Sequence, residues 1–416
     1  MILNSLMAAL FGVFGAPSIP GAPDGRRPAP PSNLPANILS LEPNPATPCP
    51  GHVYIHVPFC GRRCSYCDFA IAVRREVPVA QFIDAITAEL VTRRIGASSG
   101  PLRSLYFGGG TPSKLGGGIE GITKLVANTA MVGLGELGEV TVEANPEDIT
   151  PAVVREWVGG GVNRVSLGVQ SFDDAVLAWM HRTHNAAQIA VAVEILNGEG
   201  VSNHSIDLIF SVPESLNRDW SRDLDLALSL SPGHLSVYGL TIEPHTPLGR
   251  WKARGEALES PEERYEAEFL EADQRLRSAG YLHYEVSNYG KPGMEAVHNS
   301  SYWQGVPYLG LGPSAHGFDG RRRRWNAREY ARWVDLTSAQ CDPMEGDEDI
   351  GPAEQAAERV YLGLRTTSGL AATEEEFRFA ARWIDEGWAE RRGDALVLSA
   401  TGWLRLDALA AALTSR

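Results

Sequence analysis

Cys60, Cys64 and Cys67 form a Cys-x3-Cys-x2-Cys run between His56 and Phe69. Three thiolates from one short loop are soft donors of the kind iron–sulfur clusters select. On a cubane of four irons they leave one iron without a protein ligand. There S-adenosylmethionine can chelate through its amino and carboxylate groups and bring its sulfonium within reach of a one-electron donor. Such radical chemistry belongs to the cofactor, and the protein supplies position and electrostatics. Zinc fits less well, because a fourth ligand would have to come from His52, His56 or a distant residue, and separated Cys pairs are missing. A disulfide scaffold fits less well still, with only 5 cysteines in 416 residues. Cys49 and Cys341 stand alone and read as packed or incidental thiols.

Other residues could surround such a cofactor. The glycines of Gly108-Gly109-Gly110-Thr111 let backbone N–H groups approach the amino or carboxylate end of a ligand; the plainer reading is a tight strand-to-helix turn. Glu143, Gln170, Arg182 and Asp207 offer carboxylates to hydroxyl or ammonium donors and a guanidinium to a carboxylate. Taken singly, each reads equally well as a loop cap or a surface ion pair. His298-Asn299-x-x-Tyr302-Trp303 could flank a flat macrocycle with His298 as an axial ligand. The alternative is an aromatic core cluster with one hydrogen-bonded histidine, and His316 has the same standing. Arg321 to Arg324 could meet tetrapyrrole propionates by bidentate pairing, although such runs usually lie on solvated loops.

These residues need a frame to bring them together. From Val53 onward, short β-branched runs alternate with amphipathic segments, which predicts βα units and a parallel sheet. The strand candidates are Val53–Val57, Ser104–Phe107, Val140–Glu143, Arg164–Gly168, Ser205–Phe210 and His234–Leu240. Helices are expected near Val79–Arg94, Ile119–Ala130, Ala152–Val158, Ala186–Gly200, Arg218–Ser229 and Pro261–Ala279. Six repeats predict an α/β fold built as an incomplete (β/α)6 barrel. Ligand-binding residues of such barrels collect at the C-terminal strand ends, where the cysteine loop, the glycine run, Glu143 and Gln170 all fall. Tyr284 to Tyr289 could add a strand. From about Pro352 the order of helices and a hairpin at Arg391 to Leu398 suggests a smaller winged-helix-like module.

Net charge is −14, which argues against wholesale nucleic-acid binding. No apolar run reaches membrane-spanning length. Leu6 to Ala16 is apolar, but no Lys or Arg precedes Arg26, so the charged start of a secretory signal is missing and a cytoplasmic location is expected. Eleven prolines between Pro17 and Pro50 suggest a disordered Pro/Ala-rich extension over residues 1–51. The barrel is expected over 52–290 and the C-terminal region over 291–416. A peripheral membrane contact through the apolar tip and a homodimer complete the partner expectations.

In combination the motifs resemble a known family. His56-Val57-Pro58-Phe59-Cys60, Tyr66-Cys67-Asp68-Phe69, the Gly-Gly-Gly-Thr-Pro-Ser segment at 108–113, Val169-Gln170-Ser171-Phe172, Ile206-Asp207-Leu208-Ile209 and His298-Asn299-x-x-Tyr302-Trp303 are similar to radical S-adenosylmethionine proteins related to oxygen-independent coproporphyrinogen III oxidase. The true dehydrogenases carry a fourth cysteine where this chain has Phe69, so the resemblance is to the heme chaperone branch, which binds heme and passes it to acceptor proteins. It implies that Cys60, Cys64 and Cys67 hold a [4Fe-4S] cluster. It also implies that Tyr54, Tyr66, Gly109, Gly110, Thr111, Glu143, Gln170, Arg182 and Asp207 contact S-adenosylmethionine, and that the His298 segment meets heme. One departure is Phe210-Ser211-Val212-Pro213-Glu214-Ser215, where the family typically reads Tyr-Gly-Leu-Pro-Gly-Gln. The rival functions are oxidative decarboxylation of coproporphyrinogen III in porphyrin biosynthesis and radical chemistry on RNA.

Overall fold

Runs rich in Val, Ile and aromatic residues form the six parallel strands that the periodicity predicts. In the computed structural model, which describes residues 46–415, they are β1 (His52–Val57), β2 (Ser104–Gly109), β3 (Glu139–Ala144), β4 (Arg164–Gln170), β5 (His204–Phe210) and β6 (His234–Gly239). Helices α1 (Val79–Thr92), α2 (Gly118–Ala130), α3 (Pro151–Gly159), α4 (Ala186–Gly198), α5 (Trp220–Ser229) and α6 (Glu262–Ser278) alternate with them. Each strand pairs in parallel with the next. Parallel neighbours require long crossovers, which the helices supply.

The sheet is wider than six strands. Beyond β6 it gains the antiparallel hairpin β7 (Leu282–Glu285) and β8 (Asn288–Gly290), and on the other edge β9 (Leu309–Leu311) pairs in parallel with β1. The order is β7-β8-β6-β5-β4-β3-β2-β1-β9. β9 has three residues, one of them glycine, too little to announce a strand, and it lies beyond residue 290, where the barrel was expected to end. Gly310 is required there, since a Cβ would stand 1.9 Å from the His316 carbonyl oxygen.

The expected extension over 1–51 needs a correction at its end. Thr47–Cys49 forms a strand paired in parallel with Ile95–Ser98, and the Cys49 side chain is buried. Local composition hid this because the partner lies almost fifty positions away. Residues 1–45, with the apolar stretch Leu6 to Ala16, lie outside the described residues.

Leu, Ile, Val and aromatic side chains from helices and strands join one core, with Phe82, Phe107 and Trp157 fully buried. Glu89 of α1 is buried among them and accepts from Arg93 Nη1 (2.7 Å), Asn326 Nδ2 (2.7 Å), Trp333 Nε1 (2.9 Å) and the Gly312 N–H (2.9 Å). A buried carboxylate is tolerable only with such a donor set, and this set clamps the segment after β9 onto α1.

Beyond β9, the strands His316–Phe318, Arg322–Asn326 and Met344–Asp349 make a small antiparallel sheet. Between β8 and β9 lies α7 (Val297–Trp303), and α8 (Pro352–Arg365) leads into the C-terminal helices and a second three-stranded sheet. A buried ion pair from Arg365 Nε to Glu285 (3.0 Å) and the edge contact of His283 with Trp403 seat this part against β7, and a bond from Trp403 Nε1 to the Leu364 carbonyl (3.0 Å) ties its last helices to α8. No helix among the described residues is long and apolar enough to cross a membrane.

Candidate functional site

The C-terminal strand ends open into a cavity of about 950 Å³, lined by all thirteen residues singled out above as cluster, cofactor or heme contacts. A volume of that size is at the upper end for small-molecule sites. Strand geometry explains the convergence: residues two apart share a face, so Tyr54 and His56, Ser166 and Gly168, and Asp207 and Ile209 enter the lining together. At Gln170 a register shift in the β4–β5 pairing coincides with a left-handed backbone (φ +69°), the kind of bulge that re-aims a side chain.

The cysteine loop leaves β1 and is closed by a short parallel bridge between Phe59–Cys60 and Ala72–Val73. Ser65 N–H bonds to the Met180 carbonyl (3.1 Å) and the Ser65 carbonyl accepts from Leu248 N–H (2.8 Å), tying the loop to two neighbouring segments. Thr111 Oγ1 donates to Cys60 Sγ (3.3 Å) and Arg182 Nη1 to Cys64 Sγ (3.6 Å). Burial pushes the Cys67 thiol up to about 12 and raises that of Cys60, so these sulfurs hold their protons unless a metal replaces them. Of the five cysteines only these three line the cavity. Among the described residues no three His, Cys, Asp or Glu side chains are gathered as a site for a single ion. A cubane places its thiolates on separate irons, and three thiols on one loop match that donor set.

Beside the loop, Arg182 Nη2 donates to Asn145 Oδ1 (2.6 Å) and the Gly168 carbonyl (2.8 Å), while its buried Nε has no partner. Glu143 accepts from Tyr106 OH (2.8 Å) and Gly109 N–H (3.1 Å). Burial pushes its carboxyl up to about 7, with the nearby Asp207 adding to the rise against these bonds. Asp207 accepts from Ser166 Oγ (3.0 Å) and Ser205 Oγ (3.2 Å), and burial likewise raises its pKa. Two carboxyl groups, an unsatisfied guanidinium N–H and thiols at one mouth are chemically suited to a zwitterionic ligand with hydroxyl groups.

Several sequence readings change. The N–H groups of Gly109 and Gly110 do not face a ligand: one bonds Glu143, the other the Val57 carbonyl (2.8 Å). These glycines are needed for strand packing, because a Cβ would lie 2.6 Å from the His56 ring at Gly109 and 2.7 Å from the Pro58 oxygen at Gly110. His298 is fully buried, with Nδ1 bonded to Ser104 Oγ (2.7 Å) and Nε2 to Tyr302 OH (2.8 Å). Both ring nitrogens are engaged, so His298 has no lone pair free for iron, and the hydrogen-bonded aromatic cluster is the reading that fits. His316 differs: it too lines the cavity, but its Nδ1 has no partner. The four arginines do not reach the cavity; Arg322 pairs with Asp347, Arg323 with Glu358, Arg324 with Asp342 and Arg321 with Asp349. The zinc alternative loses His56, whose Nε2 bonds the Ala70 carbonyl (2.9 Å) and whose Nδ1 bonds Tyr54 OH (3.2 Å). Ser211 holds φ +60°, a backbone region that favours the glycine it replaces.

Tyr106, Asn145, Ser166 and Tyr302 also belong to the lining. The two-residue spacing of Tyr106 from Gly108, and of Ser166 from Gly168, is the signal by which they were legible.

Residues 54–227 match the Radical SAM superfamily. The fold is shared with coproporphyrinogen III oxidase (HemN) from Escherichia coli, a radical SAM enzyme, at a TM-score of 0.72 and 20% identity over 89% of this chain and 91% of that one. Fold and motif together define a radical SAM protein, a class that implies a [4Fe-4S] cluster and S-adenosylmethionine. Among relatives, the heme chaperone HemW of Synechocystis is 37% identical over 331 residues, covering 77% of this chain and 79% of its own. That of Mycobacterium tuberculosis H37Rv is 35% identical over 385 residues, covering 90% and 97%. The chain belongs to the heme chaperone HemW family.

Proposed function

We propose that this protein binds heme in the cavity and passes it to a heme-requiring acceptor protein in the cytoplasm, where thiols stay reduced. Cys60, Cys64 and Cys67 hold the [4Fe-4S] cluster. Tyr66, Arg182, Glu143, Gln170 and Asp207 surround S-adenosylmethionine, with Tyr54 and the Gly109-Gly110-Thr111 backbone completing the wall. Bound there, the cluster and S-adenosylmethionine supply one-electron chemistry. The protein's part is to keep Arg182 charged beside the thiolates, to offer Glu143 as a carboxyl that titrates near neutrality, and to exclude water.

The observation that carries the heme reading is that the cysteine corner and an aromatic wall share one cavity. Tyr302, Tyr308 and Trp403 line it together with His316, whose Nδ1 has no hydrogen-bond partner and is available to iron. Burial lowers the His316 pKa to about 4, which keeps it neutral and able to ligate at physiological pH. Decarboxylation of coproporphyrinogen III is disfavoured, because the arginine run that could have met its carboxylates is paired with acids outside the cavity.

Anaerobic cluster reconstitution followed by hemin titration, read in the visible spectrum, tests this. Stoichiometric binding is expected, at least tenfold weaker in His316→Ala, a loss of about 1.4 kcal/mol or more, and less affected in His298→Ala. Conversion of coproporphyrinogen III with release of 5′-deoxyadenosine, or a salt-dependent RNA affinity without hemin binding, would overturn it.

A further inference from the structure

The C-terminal segment Trp403 to Ala408 forms part of the cavity wall, on the side of β6 and the β7–β8 hairpin. Four strands, β2 to β5, lie between β6 and β1, from which the cysteine loop departs. The wall is largely apolar, with Phe269, Val286, Trp403, Leu404 and Leu406 facing the space. Within it Asp407 is exposed to the cavity, and no described residue makes an ion pair with it. The cation that bears on it, Arg365, is held by Glu285 at 3.0 Å and lies over the Trp303 ring. Arg405 also lines the cavity, but it donates to the Thr401 carbonyl (2.8 Å) and lies over Trp388, a residue outside the lining. This wall therefore offers an apolar surface, one unneutralised carboxylate and no freely directed cation.

We propose that Asp407 is a specificity-determining residue that admits tetrapyrroles presenting an uncharged edge to this wall and rejects those with a carboxylate on every edge. This deepens the heme reading and rests on it. Heme carries its two propionates on adjacent rings, so its methyl and vinyl edge can lie against the apolar wall. Coproporphyrin I carries its four methyls and four propionates in regular alternation, so every edge, and hence every orientation, sets a carboxylate against Asp407. Like charges facing each other in a partly desolvated space are strongly disfavoured, and such a repulsive element discriminates where attractive contacts are shared.

The test uses the full-length, reconstituted protein as wild type, Asp407→Asn and Asp407→Lys. Protoporphyrin IX and coproporphyrin I are titrated by quenching of tryptophan emission, at low and at high salt. The expected result is a coproporphyrin affinity that rises about tenfold in Asp407→Asn and further in Asp407→Lys, less so at high salt, with protoporphyrin affinity within about twofold of wild type. An affinity ratio that is the same in all three proteins overturns the proposal, as does parallel weakening of both porphyrins in the variants. Failure of the heme reading looks different: wild type then binds neither porphyrin nor hemin.

Discussion

Glu143 gives the sharpest test of how the cavity is built. Its hydrogen-bond partners, Tyr106 OH and Gly109 N–H, are both neutral donors, and burial outweighs them to bring the carboxyl from 4.5 to about 7. At about 1.4 kcal/mol per pH unit, the ionised carboxylate costs the fold roughly 3 kcal/mol. The sign follows from proton counting. Between pH 4.5 and about 7 the folded chain keeps a proton that the unfolded chain has released, so stability falls as pH rises through that window and levels off above it. In Glu143→Gln the amide oxygen still accepts from Tyr106, but the amide nitrogen leaves the Gly109 N–H without an acceptor, at about 1 kcal/mol. The variant should therefore match wild type near pH 5 and exceed it by about 2 kcal/mol at pH 8, a Tm about 3 °C higher for a chain of this length. Anaerobic melts of cofactor-free wild type and variant at several pH values measure this. A Tm difference that stays constant from pH 5 to pH 8 would refute the reasoning.

Two further outcomes follow from the geometry. Replacing Cys60, Cys64 or Cys67 with Ser should abolish cluster assembly, read as iron and acid-labile sulfide after anaerobic reconstitution, whereas Cys341→Ser, at an exposed position away from the cavity, should assemble normally. Gly310→Ala should force β9 away from the His316 backbone, since the added carbon would meet the His316 oxygen at 1.9 Å; faster hydrogen exchange over 309–318 and a hemin affinity at least tenfold lower are expected, with cluster content retained.

Much of the barrel was legible because its signals are local. Six strands and six helices stand within a few residues of their expected limits, each marked by its own periodicity. β9 escaped notice because three residues carry no period, and the strand Thr47–Cys49 because its pairing partner is remote. The cysteine corner was legible for the same reason as the barrel: its three thiols fall within eight residues of one loop. His298 was misleading. A histidine, an amide and two aromatics within one helix look identical whether they face a ligand or a core, and the choice rests on Ser104, which arrives from a strand almost two hundred residues earlier.

The order of apolar and polar residues by itself determined the parallel α/β architecture and the grouping of three thiols, since periodicity and loop spacing act over short stretches of chain. Tertiary structure alone decided that His298 is engaged at both ring nitrogens while His316 Nδ1 has no partner, that the arginine run is paired with acids from the following loop, strand and helix, and that the C-terminal segment joins the cavity wall with Asp407. Those outcomes depend on hydrogen bonds, charge pairing and burial between segments far apart in sequence, and such terms have no value until the chain has brought the partners together.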